Sequence, residues 1–227
     1  MAGTLSSPSD GNKTSGRMDA RVTLIEQTPD SARRGRPPGT SARELELIAL
    51  RLFTEHGFEQ TTVEQIAAAA GVSRRTFFRY YDTKADVLWH DFDNEVQALR
   101  AAFAEIPDKT PLMTAIRQAI VSVNRYRAED IPELRTRMNL IGSVPALQAS
   151  AAPHYDAWER AVSDYAATRL RQPPDSLYPL AIGRAPLAAC RAAYDAWISP
   201  ADADLTVYLT QALSALAAGF SPQRLTK

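Results

Sequence analysis

Two short helices joined by a tight turn are predicted for residues 61–81, and this stretch constrains the fold more than any other. Apolar side chains recur at helical spacing through its first half and predict one buried face. Thr61 can cap the first helix, with Glu64 three residues later completing a capping box. Gly71 can take the left-handed conformation that ends a helix, and Ser73 offers a hydroxyl cap for the second.

The second helix of this unit combines an apolar face with a basic one. Phe77 and Tyr81 are four residues apart and are predicted to face inward. The side chains left on the outside are basic, aromatic or hydroxylated: Arg74, Arg75, Thr76, Phe78, Arg79 and Tyr80. Such a face is suited to a polyanion that also presents hydrogen-bonding groups, as the base edges of nucleic acid do. Helix–turn–helix modules place their second helix in the DNA major groove. The alternative is an amphipathic hairpin with a solvated basic face, but the combination of cap, turn and basic helix favours DNA binding.

The charge of the chain is unevenly distributed. The 227 residues are neutral overall, yet residues 33–84 hold nine basic and six acidic side chains. The positive excess therefore lies in the segment that contains the motif, as expected for a local nucleic-acid surface. The single cysteine, Cys190, excludes an intrachain disulfide and lies among alanines, so we expect a small buried apolar residue in a reducing cytoplasm.

Residues 1–40 are rich in Ser, Gly, Pro, Thr and Asp and are predicted to be a disordered tail. The tail ends in a basic arm, residues 33–39, with Arg36 at its centre. An extended arginine-rich arm suits a narrow minor groove, where the negative potential is enhanced. The alternative is a solvated basic linker.

Helices are predicted on both sides of the motif. Ser41 is placed to cap a first helix that ends at Gly57. After Tyr81, Thr83 can cap a fourth helix that reaches to Pro107 and would span roughly 35 Å. Lys84 would lie near the DNA backbone at its start and is predicted to contact a phosphate.

The remainder of the chain is predicted to be helical throughout, so the fold class is all-α. We divide the chain after its tail into three parts. A helix–turn–helix domain covers residues 41–86, a ligand-binding and dimerisation domain covers residues 87–220, and a flexible C-terminus covers residues 221–227. The helix predicted for residues 177–198 is expected to be interrupted between Gly183 and Pro186. It and the last helix are apolar nearly all round, which favours a homodimer interface over a purely intrachain core.

The segment from Ser41 to Leu88 resembles the N-terminal domain of TetR-family transcriptional regulators. The matching residues are Ala49 to Phe53, Gly57, Phe58, Thr61 to Val63, Ile66, Ala67, Ala70 to Ser73, Thr76, Phe78, Tyr80, Tyr81, Lys84 and Leu88. More narrowly, residues 74–81 and 85–89 look like actinobacterial regulators associated with mycofactocin biosynthesis loci.

The resemblance implies about nine helices, a homodimer and a palindromic operator on double-stranded DNA that is released on ligand binding, with repression as the usual outcome. Movement of the fourth helix by the ligand would change the spacing of the two recognition helices. By position, Thr62 and Ser73 would contact phosphate from helix N-termini, and Lys84 would contact phosphate as well. Arg74, Arg75 and Thr76 would read base edges or flanking phosphates, while Phe78 and Tyr80 would press on the backbone. Phe78 stands where relatives usually have tyrosine, so contact with a thymine methyl group is favoured there.

A ligand pocket is expected between the fourth and eighth helices. Its candidate lining residues, most of which must also serve as core, are Trp89, Phe92, Phe103, Met113, Ile116, Ile120, Tyr126, Met138, Leu140, Tyr155 and Trp158. Such a lining favours a small hydrophobic effector, and the narrower resemblance implies a long-chain acyl-CoA. Arg125, Arg127, Arg135 and Arg137 would then receive its phosphates, the alternative being a solvated helix face.

Other classes of function find little support. His56, His90 and His154 lack metal-ligand spacing with one another or with Cys190. The sequence contains no phosphate loop, dinucleotide-binding glycine motif or nucleophile elbow, so no enzyme, cofactor or metal is predicted. It also contains no membrane-length apolar run and no apolar signal region, and a cytoplasmic protein is expected. A helical ligand-binding dimer or scaffold without DNA binding remains the alternative.

Overall fold

The computed structural model describes residues 40–199 and 204–219, and these residues fold into helices without any strand. The α-helices are α1 (Ala42–His56), α2 (Val63–Ala69), α3 (Arg74–Phe77), α4 (Phe92–Ala104), α5 (Leu112–Val123), α6 (Ile131–Ser143), α7 (Pro145–Ser150), α8 (Ala152–Leu170), α9 (Leu177–Ile198) and α10 (Leu205–Ala217). Two 3₁₀ turns, Asp86–Trp89 and Ala128–Asp130, complete the described elements. The all-α class is confirmed, whereas residues 1–39 of the predicted tail, with Arg36 and the basic arm, and residues 221–227 lie outside the described residues.

The additional helix relative to the expected nine arises at Pro145. Val144 has an extended conformation, with φ −103° and ψ 113°, and it separates α6 from α7. A residue before proline is disfavoured in the α conformation, and proline itself has no N–H to continue the helix. The break therefore follows from local backbone chemistry.

The cap predicted for α1 is confirmed, but the one predicted for α2 is wrong by one residue. Ser41 Oγ accepts a hydrogen bond of 3.1 Å from the Glu44 amide. In α2 it is Thr62 that forms the capping box, with Gln65. The Thr61 hydroxyl is instead buried and donates to the carbonyl of Gly57 at 2.8 Å, which ties the loop after α1.

The helix α3 is shorter than predicted, although its orientation is as expected. Ser73 caps it through a 3.1 Å bond from the Thr76 amide, and Gly71 before it has a φ of +66°. Regular α-helix ends at Phe77, and the chain continues in turns to Tyr81, whose amide donates to the Phe77 carbonyl at 3.1 Å. Phe77 and Tyr81 are both buried, so the predicted inward face is confirmed.

The single long fourth helix that we predicted does not form. Thr83 and Asp86 cap one another reciprocally, but they open only the 3₁₀ turn Asp86–Trp89. The helix α4 starts at Phe92 and has 13 residues, a length of roughly 20 Å. The side chains of residues 87–89 are all buried. Because a regular α-helix with one buried face cannot bury three consecutive side chains, the winding changes there.

The helix α9 runs unbroken from Leu177 to Ile198, so the interruption predicted near Gly183 and Pro186 is wrong. Gly183 allows α8 to approach closely, since a Cβ atom there would lie 2.0 Å from Ser163 Oγ and 2.7 Å from the Glu159 carbonyl oxygen. Pro186 inside α9 has no N–H and so removes one backbone hydrogen bond of the helix. Packing against α8 and α10 stabilises the helix despite this loss.

Two apolar cores meet in the middle of the described part. We call the helices α4 to α10 the body, and the first core, the body core, contains residues of α4, α5, α6, α8, α9 and α10. The other core joins α1, α2 and α3 to the 3₁₀ turn Asp86–Trp89. This second core also includes Ile141, Leu147 and Ala151, which belong to the body. The helix–turn–helix unit is therefore packed directly against α6 and α7. No helix of the described part is long and apolar enough to cross a membrane.

Candidate DNA-binding surface and ligand pocket

The outer side of α3 and of the turns that follow it carries exposed basic and aromatic side chains, and we call it the recognition surface. Its exposed members are Ser73, Arg74, Arg75, Phe78, Arg79 and Tyr80, and Thr76 is half-buried. The Arg74 guanidinium lies 5.2 Å from the Phe78 ring centroid and forms an exposed ion pair with Glu64 at 2.9 Å. Within the described residues, Arg75 forms no ion pair and is available to an external partner.

The last part of the recognition surface is fixed by a chain of polar contacts. Arg79 lies 4.9 Å over the Tyr80 ring and donates to its hydroxyl at 3.0 Å. The Tyr80 hydroxyl donates to the Thr40 carbonyl at 2.8 Å, and the Thr40 hydroxyl donates to the Ala70 carbonyl at 3.2 Å. The residue that directly follows the predicted basic arm is thus held beside the recognition surface.

Lys84 is largely committed to contacts within the protein. Its ammonium group donates to the Phe58 carbonyl at 2.6 Å and to the Thr61 carbonyl at 2.9 Å, and it lies 4.3 Å from the centroid of the Phe58 ring. These contacts join the start of the 3₁₀ turn to the loop between α1 and α2. They favour a structural role for Lys84 over the phosphate contact that the sequence predicts.

A cavity of about 90 Å³ lies where the two cores meet, and we call it the inner cavity. Seven of the predicted pocket residues line it: Trp89, Phe92, Ile120, Tyr126, Met138, Tyr155 and Trp158. Phe103, Met113 and Ile116 pack in the body core instead, and Leu140 packs against the core of the helix–turn–helix unit. Leu88, Val123, Leu134, Ile141 and Leu187 are further apolar lining residues, which periodicity marks only as core.

Sequence reasoning missed three polar residues of the inner cavity, Glu95, Asn124 and Tyr194, whereas Arg137, which also lines it, was among the arginines expected to receive phosphates. Burial raises the pKa of Glu95 to about 7, although nearby Arg137 and a hydrogen bond from Tyr126 act in the opposite direction. Glu95 lies within the apolar stripe of α4 beside Val96, and a lone acid at such a position was the available signal.

Two tyrosines and the cysteine of the inner cavity stay protonated at neutral pH. Burial raises the pKa values of Tyr126 and Tyr194, so both hydroxyls remain hydrogen-bond donors, and Tyr194 donates to Asn124 Oδ1 at 2.6 Å. Burial also raises the pKa of the Cys190 thiol to about 12. Cys190 therefore behaves as the small buried residue that the sequence predicts.

One wall residue of the inner cavity is bonded to the helix–turn–helix unit. The α1–α6 ion cluster comprises Arg43 and Glu46 of α1 with Glu133 and Arg137 of α6. Arg137 Nη2 donates to Glu133 Oε1 at 2.7 Å and also to Glu46 Oε1. Arg43 donates to Glu46 at 2.8 Å and to Glu133 at 2.5 Å. Because Glu46 is fully buried, the pairing is part of the packing between the unit and the body.

Comparisons with known proteins agree with this architecture. Residues 48–89 match the family model described as bacterial regulatory proteins, tetR family, and residues 110–221 match the MftR C-terminal domain. A Mycobacterium tuberculosis (strain H37Rv) protein named "Putative mycofactocin biosynthesis transcriptional regulator MftR" is 30% identical over 191 residues, covering 84% of this chain and 96% of that protein. The chain belongs to the TetR family.

Solved structures show that this TetR-family chain has the fold of known regulators. SmeT, the repressor of the Stenotrophomonas maltophilia multidrug efflux pump SmeDEF, in complex with triclosan, has a TM-score of 0.57 and 23% identity over 78% of this chain and 90% of that one. The fatty acid degradation regulator FadR from Bacillus halodurans has a TM-score of 0.58 and 17% identity over 79% of this chain and 99% of that one.

Membership of the TetR family establishes the general function. This protein is a DNA-binding transcriptional regulator, and a scaffold without DNA binding is not favoured. TetR-family regulators bind DNA and dimerise, and the family is one of regulators rather than enzymes.

The four arginines expected to receive phosphates do not form one site in this TetR-family chain. Arg127 is exposed and pairs with Glu129 and Asp130, and this pairing lowers the pKa of Asp130. Arg135 donates to the carbonyls of residues 197 and 198 at 2.7 and 2.8 Å. Arg125 is exposed, and only Arg137 of the four lines the inner cavity.

Proposed function

We propose that this regulator represses transcription by binding a palindromic operator as a homodimer and that a hydrophobic small molecule releases it. The observation that carries the DNA part is the recognition surface, where exposed arginines surround a helix anchored by the buried rings of Phe77 and Tyr81. Anchored recognition helices of this type place their first residues against base edges in the major groove. A protein that acts on chromosomal DNA is expected in the cytoplasm.

Within the recognition surface we assign base reading to Arg74 and Arg75. Arg75 has no competing ion pair among the described residues, and the Arg74–Glu64 pair is exposed on both sides. Exposed pairs of this kind contribute only about 0–1 kcal/mol, so Arg74 can exchange Glu64 for DNA at little cost. Thr62 and Ser73 are exposed, and their oxygens accept from backbone amides, which leaves the Thr62 hydroxyl hydrogen available to a phosphate oxygen. The Ser73 hydroxyl also shares a 3.0 Å hydrogen bond with the Thr76 hydroxyl, so we expect it to contact phosphate together with Thr76.

We assign dimerisation to α9 and α10. The inner face of α9 is buried against α8 and α10, yet apolar side chains remain on its outer face, including Leu177 with 75% exposure and Tyr178. Val207 of α10 is exposed as well. A twofold interface would cover these side chains and set the separation of the two recognition helices at roughly 34–36 Å, one turn of DNA.

We assign effector binding to the inner cavity and to a groove that continues from it. This outer groove has a volume of about 350 Å³ and shares Met138, Ile141, Tyr155, Arg191 and Tyr194 with the inner cavity. Because pockets for drug-sized ligands have volumes of about 300–1,000 Å³, an effector must widen the inner cavity to enter. A ligand that prefers the widened state shifts the protein towards it. A long-chain acyl-CoA, implied by the resemblance to mycofactocin-system regulators, is our leading candidate.

The test is binding to the DNA upstream of the gene itself, measured by fluorescence anisotropy. We expect Arg75→Ala to weaken binding by about 1–3 kcal/mol and to relax the sequence preference at one base pair of each half-site. Arg160→Ala, which removes an exposed arginine from α8 of the body, is the matched control and should change binding little. Failure to bind any upstream fragment, or equal effects of the two substitutions, would contradict the proposal.

A further inference from the structure

Thr40 is the first residue that the structure describes, and it is hydrogen-bonded on both sides of α3. Its hydroxyl donates at 3.2 Å to the carbonyl of Ala70, which precedes the turn that leads into α3. Its carbonyl accepts at 2.8 Å from the hydroxyl of Tyr80, which lies in the turns after α3. Because Thr40 is also buried, with 6% exposure, the chain enters the helix–turn–helix unit at a fixed point beside α3.

The Tyr80 hydroxyl is occupied by contacts within the protein. It donates to Thr40 and accepts at 3.0 Å from Arg79, whose guanidinium lies over the Tyr80 ring. A phenol has one hydrogen to donate, so Tyr80 in this arrangement has none left for a phosphate oxygen. The hydroxyl therefore serves to hold Thr40, at the point where the basic arm joins the helix–turn–helix unit.

The basic arm differs in charge from the rest of the tail. Residues 33–39 contain three arginines and no acidic side chain, whereas residues 1–32 hold three basic and four acidic ones. Pro37 and Pro38 disfavour a helix, so the sequence favours an extended backbone directly before Thr40. An uninterrupted positive charge beside a helix that reads DNA is suited to a second contact with the same duplex.

The groove within reach of the basic arm is the minor groove next to the major groove that α3 would read. The two grooves repeat together once per turn of about 34 Å, so their centres are roughly 17 Å apart. At about 3.1 Å per residue, an extended chain covers roughly 12 Å from Thr40 to Arg36 and roughly 22 Å from Thr40 to Arg33. A minor groove about 6 Å wide admits such a chain but no helix.

We propose that Tyr80 anchors the basic arm so that Arg36 enters the minor groove beside each half-site of the operator. The arm then adds a preference for A·T pairs that α3 does not touch, because A·T-rich minor grooves are narrow, strongly negative and free of the guanine amino group. Tyr80 is a positioning residue in this arrangement, since it acts through the arm. The inference rests on the proposed DNA binding and deepens it by adding a second specificity element.

The experiment measures the affinity of the full-length chain for short duplexes by fluorescence anisotropy. Each duplex contains the operator that the wild-type protein selects from a random pool, and only the base pairs adjoining each half-site are changed. These pairs are A·T, G·C or inosine·cytosine, the last of which combines the major-groove groups of G·C with a minor groove that lacks the amino group. We expect A·T and inosine·cytosine duplexes to bind equally well and G·C duplexes to bind roughly 10-fold more weakly.

Two variants and two matched controls assign this preference to the arm and its anchor. Arg36→Ala should lower the ratio of A·T to G·C affinity at least about threefold, and Tyr80→Phe should lower it at least about twofold. In the Arg36→Ala background, Tyr80→Phe should change the ratio no further. The control Tyr81→Phe also removes a hydroxyl that donates to a backbone carbonyl at 2.8 Å, that of Ala42, and the control Arg17→Ala removes the same charge farther up the tail. Both controls should keep the wild-type ratio.

Several outcomes would overturn the inference. Equal affinity of wild type for A·T and G·C duplexes would exclude minor-groove reading, and inosine·cytosine duplexes that bind like G·C would place the contact in the major groove. A ratio unaltered by Arg36→Ala would exclude the arm, and this variant decides even if Tyr80→Phe does not fold. An effect of Tyr80→Phe that persists without Arg36 would show that Tyr80 does not act through the arm. A protein that selects an operator but ignores the adjoining pairs retains the proposed function and loses this inference, whereas one that selects no duplex loses both.

Discussion

Replacement of Glu46 by glutamine tests whether the α1–α6 ion cluster holds the DNA-binding unit on the body. Glu46 is fully buried and accepts hydrogen bonds from both Arg43 and Arg137. Removing one partner of a buried pair costs about 3–5 kcal/mol. Glutamine keeps one acceptor, and both arginines keep Glu133, so we expect Glu46→Gln to lower the free energy of unfolding by about 2–3 kcal/mol.

The assay is urea unfolding at one fixed protein concentration, because dimerisation makes the apparent stability depend on concentration. The matched control is Glu55→Gln on the same helix, since Glu55 is 47% exposed and its contact with Arg51 is 3.6 Å long. An exposed pair of this kind should contribute less than about 1 kcal/mol. The coupling energy between Glu46→Gln and Arg137→Met should be about 1–3 kcal/mol in a double-mutant cycle. If Glu46→Gln lost no more stability than Glu55→Gln, the cluster would not be the connection that we describe.

Two further predictions concern packing and the loop between α1 and α2. Gly183→Ala should lower the free energy of unfolding by about 1–3 kcal/mol, because its Cβ would meet Ser163 Oγ. In the control Gly142→Ala, in α6, the added Cβ meets no atom within 4 Å, so the variant should be neutral or more stable by about 0.5–1 kcal/mol. Urea unfolding of both variants measures the contrast, and equal effects would contradict it. Lys84→Met should lower the free energy of unfolding by about 1–3 kcal/mol, because the hydrogen bond to the Phe58 carbonyl is lost. The slope of the logarithm of operator affinity against the logarithm of salt concentration should stay unchanged. A slope smaller by roughly one ion would instead show that Lys84 contacts a phosphate.

Local signals were enough to predict the elements that position the recognition surface. The Ser41 cap, the left-handed Gly71 and the inward pair Phe77 and Tyr81 all follow from chemistry within a few residues along the chain. One error occurred where two neighbouring residues compete for one role. Thr61 and Thr62 are equally suitable caps by sequence, and only the loop after α1 decides that Thr61 is turned inward.

The pairing of Arg137 with Glu46 was out of reach for a different reason. Glu46 and Arg137 are 91 residues apart, and helical periodicity identifies a buried face without identifying what packs on it. Both Glu46 and Glu95 interrupt apolar stripes, on α1 and α4. Such positions indicate a partner, because a buried carboxylate is costly unless it is paired or neutralised. The sequence therefore marks where a partner is needed and leaves its identity to the fold.

The broken fourth helix changes how a signal can pass from effector to DNA. A continuous rod would have moved the recognition helix directly, but α4 begins only at Phe92, after the 3₁₀ turn that contains Trp89. Trp89 lines the inner cavity and donates to Ser150 Oγ at 3.1 Å, so this turn is tied to α7 as well as to α4. The helix α6 likewise contacts both the cavity and the helix–turn–helix unit. Its residues Arg137 and Ile141 line the cavity. Arg137 also bonds to Glu46 of α1, and Ile141 also packs in the core of the helix–turn–helix unit. An effector that widens this cavity of about 90 Å³ by displacing either of these two elements also disturbs that core. The route that the packing favours is therefore a change in how the unit is seated on α6 and α7, rather than the swing of a single helix.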